Sequence, residues 1–143
     1  MQKGDWSRWR ALPSWERRVL LRAWWRLLFV QMQLRCDPGI VTGRRLGVCA
    51  KQQSLPAGME PVVFARRCQA LVAIAASKLP RPANCLPQAL VLEQELLRHG
   101  LSAQFKLGVQ GELQPFSAHA WVEYAGIRLG DHNDAYHSFE GLP

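Results

Sequence analysis

Apolar residues recur at Trp15, Val19, Leu20, Ala23, Trp24, Leu27, Leu28 and Val30, a spacing near 3.6 that predicts an amphipathic helix from Trp15 to about Leu34. Ser14 is placed to cap it after Pro13, and Glu16 falls in its first turn, where the helix dipole favours a negative charge. Arg18, Arg22 and Arg26 follow one another at i, i+4 along one side, and Asp37-Pro38-Gly39 ends the run in a turn. Residues 37–60, with Gly39, Gly43, Gly47, Pro56 and Gly58, read as an irregular connection. A second helix is predicted over Pro61–Ser77, with Val62, Val63, Leu71, Val72, Ile74 and Ala75 inward, and Leu79-Pro80-Arg81-Pro82 breaks it. A third follows Asn84 and Cys85 and runs to about Arg98, with Pro87 in its first turn and Gly100 as the C′ residue. Beyond Gly100 the period changes from helical to alternating. Strands are predicted at Ala103–Val109, His119–Glu123 and Ile127–Asp131. Helices first and a small antiparallel sheet afterwards make the fold class α+β.

Composition changes this picture little. At 143 residues, 48% hydrophobic and 20% charged, the chain has the make-up of one globular domain, with a basic N-terminal segment over 1–36 and the chemistry concentrated in 60–135. The net charge of +7 is unevenly placed, because residues 1–35 hold eight Lys and Arg against only Asp5 and Glu16. Five of the six tryptophans (6, 9, 15, 24 and 25) lie in the same quarter. The most apolar stretch there, Ala23–Met32, is interrupted by Arg26, has no signal-peptide cleavage pattern and falls far short of a membrane span of roughly 20 residues. A cytoplasmic location with reduced thiols is therefore expected.

Four cysteines, at 36, 49, 68 and 85, form no C-x-x-C, which argues against zinc ribbons and thioredoxin-like sites. Cys85 stands apart because it opens a helix, where unpaired N–H groups and the dipole stabilise a thiolate and can receive an oxyanion. Cys68 falls mid-helix, as a packing residue would, and Cys36 and Cys49 lie in turn or loop contexts with no base nearby in sequence. In the hairpin, Tyr124-Ala125-Gly126 reads as a three-residue loop, which pairs Glu123 with Ile127, Trp121 with Leu129 and His119 with Asp131. That register opposes imidazole and carboxylate with Cβ atoms about 5 Å apart, whereas a two-residue loop puts them on opposite faces. His119 would then serve as base to Cys85, with Asp131 orienting the ring. Asp134 is the weaker substitute for Asp131. A metal site from His132, His137 and the neighbouring aspartates matches no strong ligand spacing, and neither metal nor cofactor is expected. A helix-start cysteine alone is more often structural, and so is a lone histidine beside an aspartate. Their joint occurrence in the order Cys, His, Asp favours catalysis.

The segments Asn84-Cys85-Leu86-Pro87-Gln88-Ala89-Leu90, Leu107-Gly108-Val109 and Phe116-Ser117-Ala118-His119-Ala120-Trp121-Val122-Glu123, with Gly126 and Asp131, closely resemble the leader peptidases of lasso-peptide biosynthesis. These are maturation proteases with a papain/transglutaminase-like core. The resemblance is strongest over about residues 60–131 and extends less diagnostically to the Trp- and Arg-rich N-terminal helix. It implies Cys85, His119 and Asp131 as catalytic triad, and hydrolysis of the leader–core bond of a ribosomally made precursor, commonly after a leader whose penultimate residue is Thr. The freed amine then goes to an ATP-dependent, asparagine-synthetase-like cyclase. Some family members carry a PqqD-like recognition domain ahead of the protease. This chain is too short to include one, so a separate recognition protein delivering the leader is the implied partner. Trp6, Trp9, Trp24 or Trp25 would either dock that partner or pack on the core, and different faces can do both. Nucleic-acid binding lacks a reading motif, and membrane attachment through the basic helix is a weak prospect. Two rivals remain from the residues alone: a Cys–His–Asp amidase or acyltransferase, and a non-catalytic peptide-binding module.

Overall fold

The computed structural model describes residues 3–37, 52–110, 117–130 and 137–138. Its elements are helices α1 (Lys3–Ala11), α2 (Ser14–Cys36), α3 (Pro61–Ser77) and α4 (Cys85–Arg98), followed by strands β1 (Gln104–Gln110), β2 (Ser117–Tyr124), β3 (Ile127–Leu129) and β4 (His137–Ser138). The strands form one antiparallel sheet in the order β3-β2-β1-β4. Helices followed by a small antiparallel sheet confirm the α+β class. None of the described helices is long and apolar enough to cross a membrane.

The helices α2, α3 and α4 pack on one another, and α4 packs on β2 and β1. Val19, Ala23, Leu27 and Val30 of α2 bury against Phe64, Cys68, Leu71 and Val72 of α3 and Val91 and Leu96 of α4. Val122 and Leu129 close the sheet side of this core. Each such side chain contributes about 1.5–3 kcal/mol through burial, which fixes α4 on the sheet.

Several expectations change. Ser14 is the first helical residue of α2; Pro13 takes the cap position, with no side-chain hydrogen bond to the helix. Glu16 turns inward, where its carboxylate accepts from Arg67 Nε and Nη2 at 2.8 and 2.7 Å. Arg22 and Arg26 part from Arg18, which stays exposed. They reach α4, donating to Glu95 and Gln94. Val63 and Ile74 of α3 face outward, being 52% and 43% exposed. Helix α1 was not anticipated. Of the irregular connection, residues 52–60 are described and form neither helix nor strand, and Cys49 lies outside the described residues.

The hairpin also differs. Tyr124 pairs with Ile127, Glu123 with Arg128 and Val122 with Leu129, so the loop has two residues, not three. Ala125 and Gly126 have φ of +51° and +75°, as a type I′ turn requires. Tyr124 stays in the strand because its ring packs against the core beside Val122, and Ala125 accepts the left-handed conformation in its place.

Candidate active site

Cys85 is the first residue of α4. Asn84 precedes it in extended conformation and makes no side-chain cap. A helix leaves its first N–H groups without partners of its own. Here Pro87 has no N–H to offer, and the first intrahelical bond runs from Gln88 N to Asn84 O at 3.4 Å. The donors the helix leaves over at this end are therefore the N–H groups of Cys85 and Leu86, the pair an oxyanion at the thiol would meet. Gln88 steadies the approach to the helix by donating from Nε2 to Ala83 O at 2.7 Å. Cys85 is half-buried, packed against the rim of the core.

The other cysteines contrast with it. Cys36 is exposed at the end of α2. Cys68 is fully buried; loss of hydration, reinforced by the nearby Glu95 carboxylate, pushes its thiol far above the ordinary range. Cys68 is thus a packing residue, as its mid-helix position implied.

His119 is the third residue of β2 and is half-buried. The short turn after α4, closed by Leu101 N to Leu96 O at 3.0 Å, sends β1 back along the helix. Phe105 N donates to Glu93 Oε1 at 3.2 Å, which sets the level of strand against helix. From Glu93 back to Cys85 is about 12 Å of helix. From Phe105 forward to Gly108, the partner of His119, is about 10 Å of strand. Measured along the strand direction, Cys85 and the Gly108–His119 pair therefore lie toward the same end of the helix–sheet unit.

Strand alternation puts His119 on the face that carries Trp121 and Glu123, while Ala120 and Val122 join the core with α4, so the imidazole lies on the sheet face away from that helix and the described residues do not bring it against Cys85. The His119 and Trp121 rings lie 6.2 Å apart and 19° from parallel. Trp121 donates from Nε1 to Glu123 Oε1 at 2.9 Å, and the Arg128 guanidinium sits 3.9 Å over the indole. Trp121 is 3% exposed and lies outside the helix–sheet cluster that Ala120 and Val122 join, with the His119 ring and the Arg128 guanidinium against it. The residue order alone did not single out Trp121, Glu123 and Arg128, although the period-2 spacing from His119 carried the signal.

The three-residue-loop register on which the expected pairing of His119 with Asp131 rested is not the observed one. With Val122 opposite Leu129, the ladder carried two residues further would set Asp131 opposite Ala120. The ladder instead stops at Leu129, and Gly130, at φ +117°, takes the chain out of the strand. Asp131 lies outside the described residues, as do His132 and Asp134; His137 belongs to β4, paired with Val109.

The sequence pattern of the transglutaminase-like superfamily matches residues 24–142, which include α3, α4 and the whole sheet together with most of α2. The chain belongs to that superfamily. No curated protein and no solved structure matches it. Transglutaminase-like proteins are typically Cys–His–Asp enzymes, cysteine peptidases or acyltransferases, and the α+β arrangement with a cysteine opening a helix against an antiparallel sheet agrees with such a domain.

Proposed function

We propose that this transglutaminase-like protein is a cysteine peptidase that hydrolyses the leader–core bond of a ribosomally synthesised lasso-peptide precursor, with Cys85 as nucleophile, His119 as base and Asp131 as its orienter. What supports the reading is Cys85 at the uncapped start of α4, with His119 on β2 toward the same end of the sheet, in a superfamily whose members are typically Cys–His–Asp enzymes. The likeness of residues 84–90 and 116–123 to lasso-peptide leader peptidases supplies the substrate class. In this reading the protein is cytoplasmic and takes its precursor from a separate PqqD-like recognition protein. It passes the product to an asparagine-synthetase-like cyclase.

The chemistry balances without a cofactor. His119 takes the thiol proton, and the Cys85 thiolate adds to the scissile carbonyl carbon. The oxyanion is received by the N–H groups of Cys85 and Leu86. Collapse breaks the C–N bond, and the imidazolium returns its proton to the departing amine of the core peptide. Water then hydrolyses the leader thioester, with His119 again as base.

Mass spectrometry of the precursor, incubated with its recognition protein and either wild type or Cys85→Ala, tests this. Cleavage at one bond by wild type only is the expected result. A heavier, acylated product would instead assign an acyltransferase. Intact precursor in both reactions, with Cys85 inert to iodoacetamide at neutral pH, would remove the nucleophile and leave a peptide-binding module.

A further inference from the structure

The outward side of α2 reverses the usual distribution of a surface helix. Two of its arginines, Arg22 and Arg26, turn inward to Glu95 and Gln94, while Leu21, Trp25, Phe29 and Met32 are 51%, 64%, 55% and 61% exposed. Their spacing, i, i+4, i+8 and i+11, makes one continuous stripe of three turns. A contiguous apolar surface on the order of a few hundred Å² is of the size that marks an interaction site. Trp25 is also pre-organised: its ring meets that of Trp24 edge-on at 5.1 Å, and Trp24 is tied by Nε1 to Lys78 O at 3.5 Å. An exposed tryptophan already held in place loses little freedom on binding, which favours an anchor.

Charge narrows the occupant. Arg17 and Arg18 stand at the stripe's N-terminal end, and Arg35 at its C-terminal end, none of them ion-paired among the described residues. The one carboxylate of α2, Glu16, is turned to Arg67. A second copy of the chain would set these arginines against their own kind in any two-fold pairing. An amphipathic helix with apolar residues on one side and carboxylates at both ends meets every feature of the stripe.

Its direction connects it to the site. Arg22 contacts Glu95, Arg26 contacts Gln94, and Gln31 Nε2 donates to Arg81 O at 3.3 Å, so α2 and α4 run antiparallel. Arg81 is four residues before Cys85, which places the Phe29–Met32 end of the stripe at the nucleophile's end of the molecule.

We propose that the Leu21–Trp25–Phe29–Met32 face of α2 is the docking surface for an acidic amphipathic helix of the protein that delivers the substrate. This rests on the peptidase reading for the partner's role, and on α2 itself for its chemistry. The probe is the complex of precursor and recognition protein used in the cleavage assay, titrated into Cys85→Ala protein by fluorescence anisotropy. Trp25→Glu is expected to weaken binding at least tenfold, and Arg18→Glu with Arg35→Glu to weaken it less. Affinity of the unmodified surface should fall with rising salt, and in the same surface variants made with Cys85 retained its alkylation rate should match wild type. Circular dichroism verifies folding, and the arginine variants keep the test decisive if Trp25→Glu does not fold. Wild-type affinity in these variants, or no binding of the complex to the unmodified surface, would overturn the proposal. So would pelleting with vesicles of three parts phosphatidylcholine to one of phosphatidylglycerol that Trp25→Glu abolishes, since that would make the face a membrane contact. A dimer in sedimentation equilibrium that Trp25→Glu dissociates would overturn it too. Binding that survives while Cys85 proves inert would sink the peptidase reading and leave the docking surface standing.

Discussion

The two ends of α4 are treated in opposite ways. At the C-terminal end, Gly100 at φ +76° completes a Schellman motif, with Leu101 N to Leu96 O and Gly100 N to Leu97 O, both at 3.0 Å. Gln53 N takes the Arg98 carbonyl at 2.8 Å, and His99 Nδ1 donates to the Glu95 carbonyl at 2.9 Å. The last carbonyls are thus all occupied, and the His99 ring is packed on Phe64 at 4.6 Å. At the N-terminal end, Asn84 withholds its side chain, Pro87 removes one donor and the N–H groups of Cys85 and Leu86 are left over. An end whose polar groups are satisfied by its own chain is finished structurally. An end that is left open keeps its hydrogen-bonding capacity for something else.

The sharpest way to break this contrast is to act on Cys85. Cys85→Ala is expected to reduce precursor cleavage by at least about a thousandfold, read by mass spectrometry, while leaving the melting temperature within about a degree of wild type. A large loss of stability would mean that this end is structural after all. His119→Ala should slow alkylation of Cys85 by iodoacetamide at neutral pH, and equal rates would separate the two residues chemically.

The opposite response is expected at Glu95, which is 1% exposed on the same helix and binds Arg22. Glu95→Ala strands a guanidinium that keeps about a quarter of its side-chain surface in water (23%), so the cost is near the low end of a broken buried pair, about 3 kcal/mol in urea unfolding. The alkylation rate of Cys85 in the folded fraction should not change. A loss below about 1 kcal/mol would show that Arg22 finds another partner, Gln53 being the nearest at 3.1 Å.

What the sequence disclosed follows the same division. The three packed helices, Gly100 as C′ residue and the strand segments were legible because period and punctuation are local properties. The inward turn of Arg22 and Arg26 was not, since their acceptors Glu95 and Gln94 lie about 70 residues away and a helical arginine is read by default as solvated. The hairpin register depended on whether Ala125 would accept a left-handed conformation that sequence ordinarily assigns to Gly or Asn. That one backbone angle decided the pairing of every residue from Val122 to Leu129. For the candidate site, Cys85 was marked by its place at a helix start and His119 by alternation. The Trp121–Arg128 stack around His119 needed the observed register to appear.

Cys68 gives a pH-dependent version of the comparison. Its thiol is raised by burial in the folded state, whereas in the unfolded chain it titrates at about 8.5. Above that pH the unfolded state releases a proton that the folded state retains, so stability falls as pH rises, by up to about 1.4 kcal/mol per unit from this group. Below it the group contributes no slope. Urea midpoints between pH 8 and 10 should therefore decline more steeply in wild type than in Cys68→Ala, whose midpoints start lower because a cavity is opened. Parallel slopes would mean that the thiol is already ionised within the fold. At neutral pH, iodoacetamide should modify Cys85 and leave Cys68 untouched until the chain unfolds.

The smallest effect is expected at Gly100, where the closed end of α4 can be loosened without touching the open one. A methyl group there would lie 2.5 Å from Gln52 Nε2, but that amide is the far end of an exposed, flexible side chain and can swing aside. The backbone cannot, because φ of +76° is what lets Leu101 N reach Leu96 O. Gly100→Ala should therefore cost about 1 kcal/mol, set by conformational strain and not by the contact. Gly100→Asn should cost less, since asparagine tolerates the left-handed region while presenting a larger side chain. If asparagine proved the more damaging of the two in urea unfolding, the contact with Gln52 would be the stronger constraint, and the strap formed by residues 52–53 would be holding this end more tightly than the Schellman motif does.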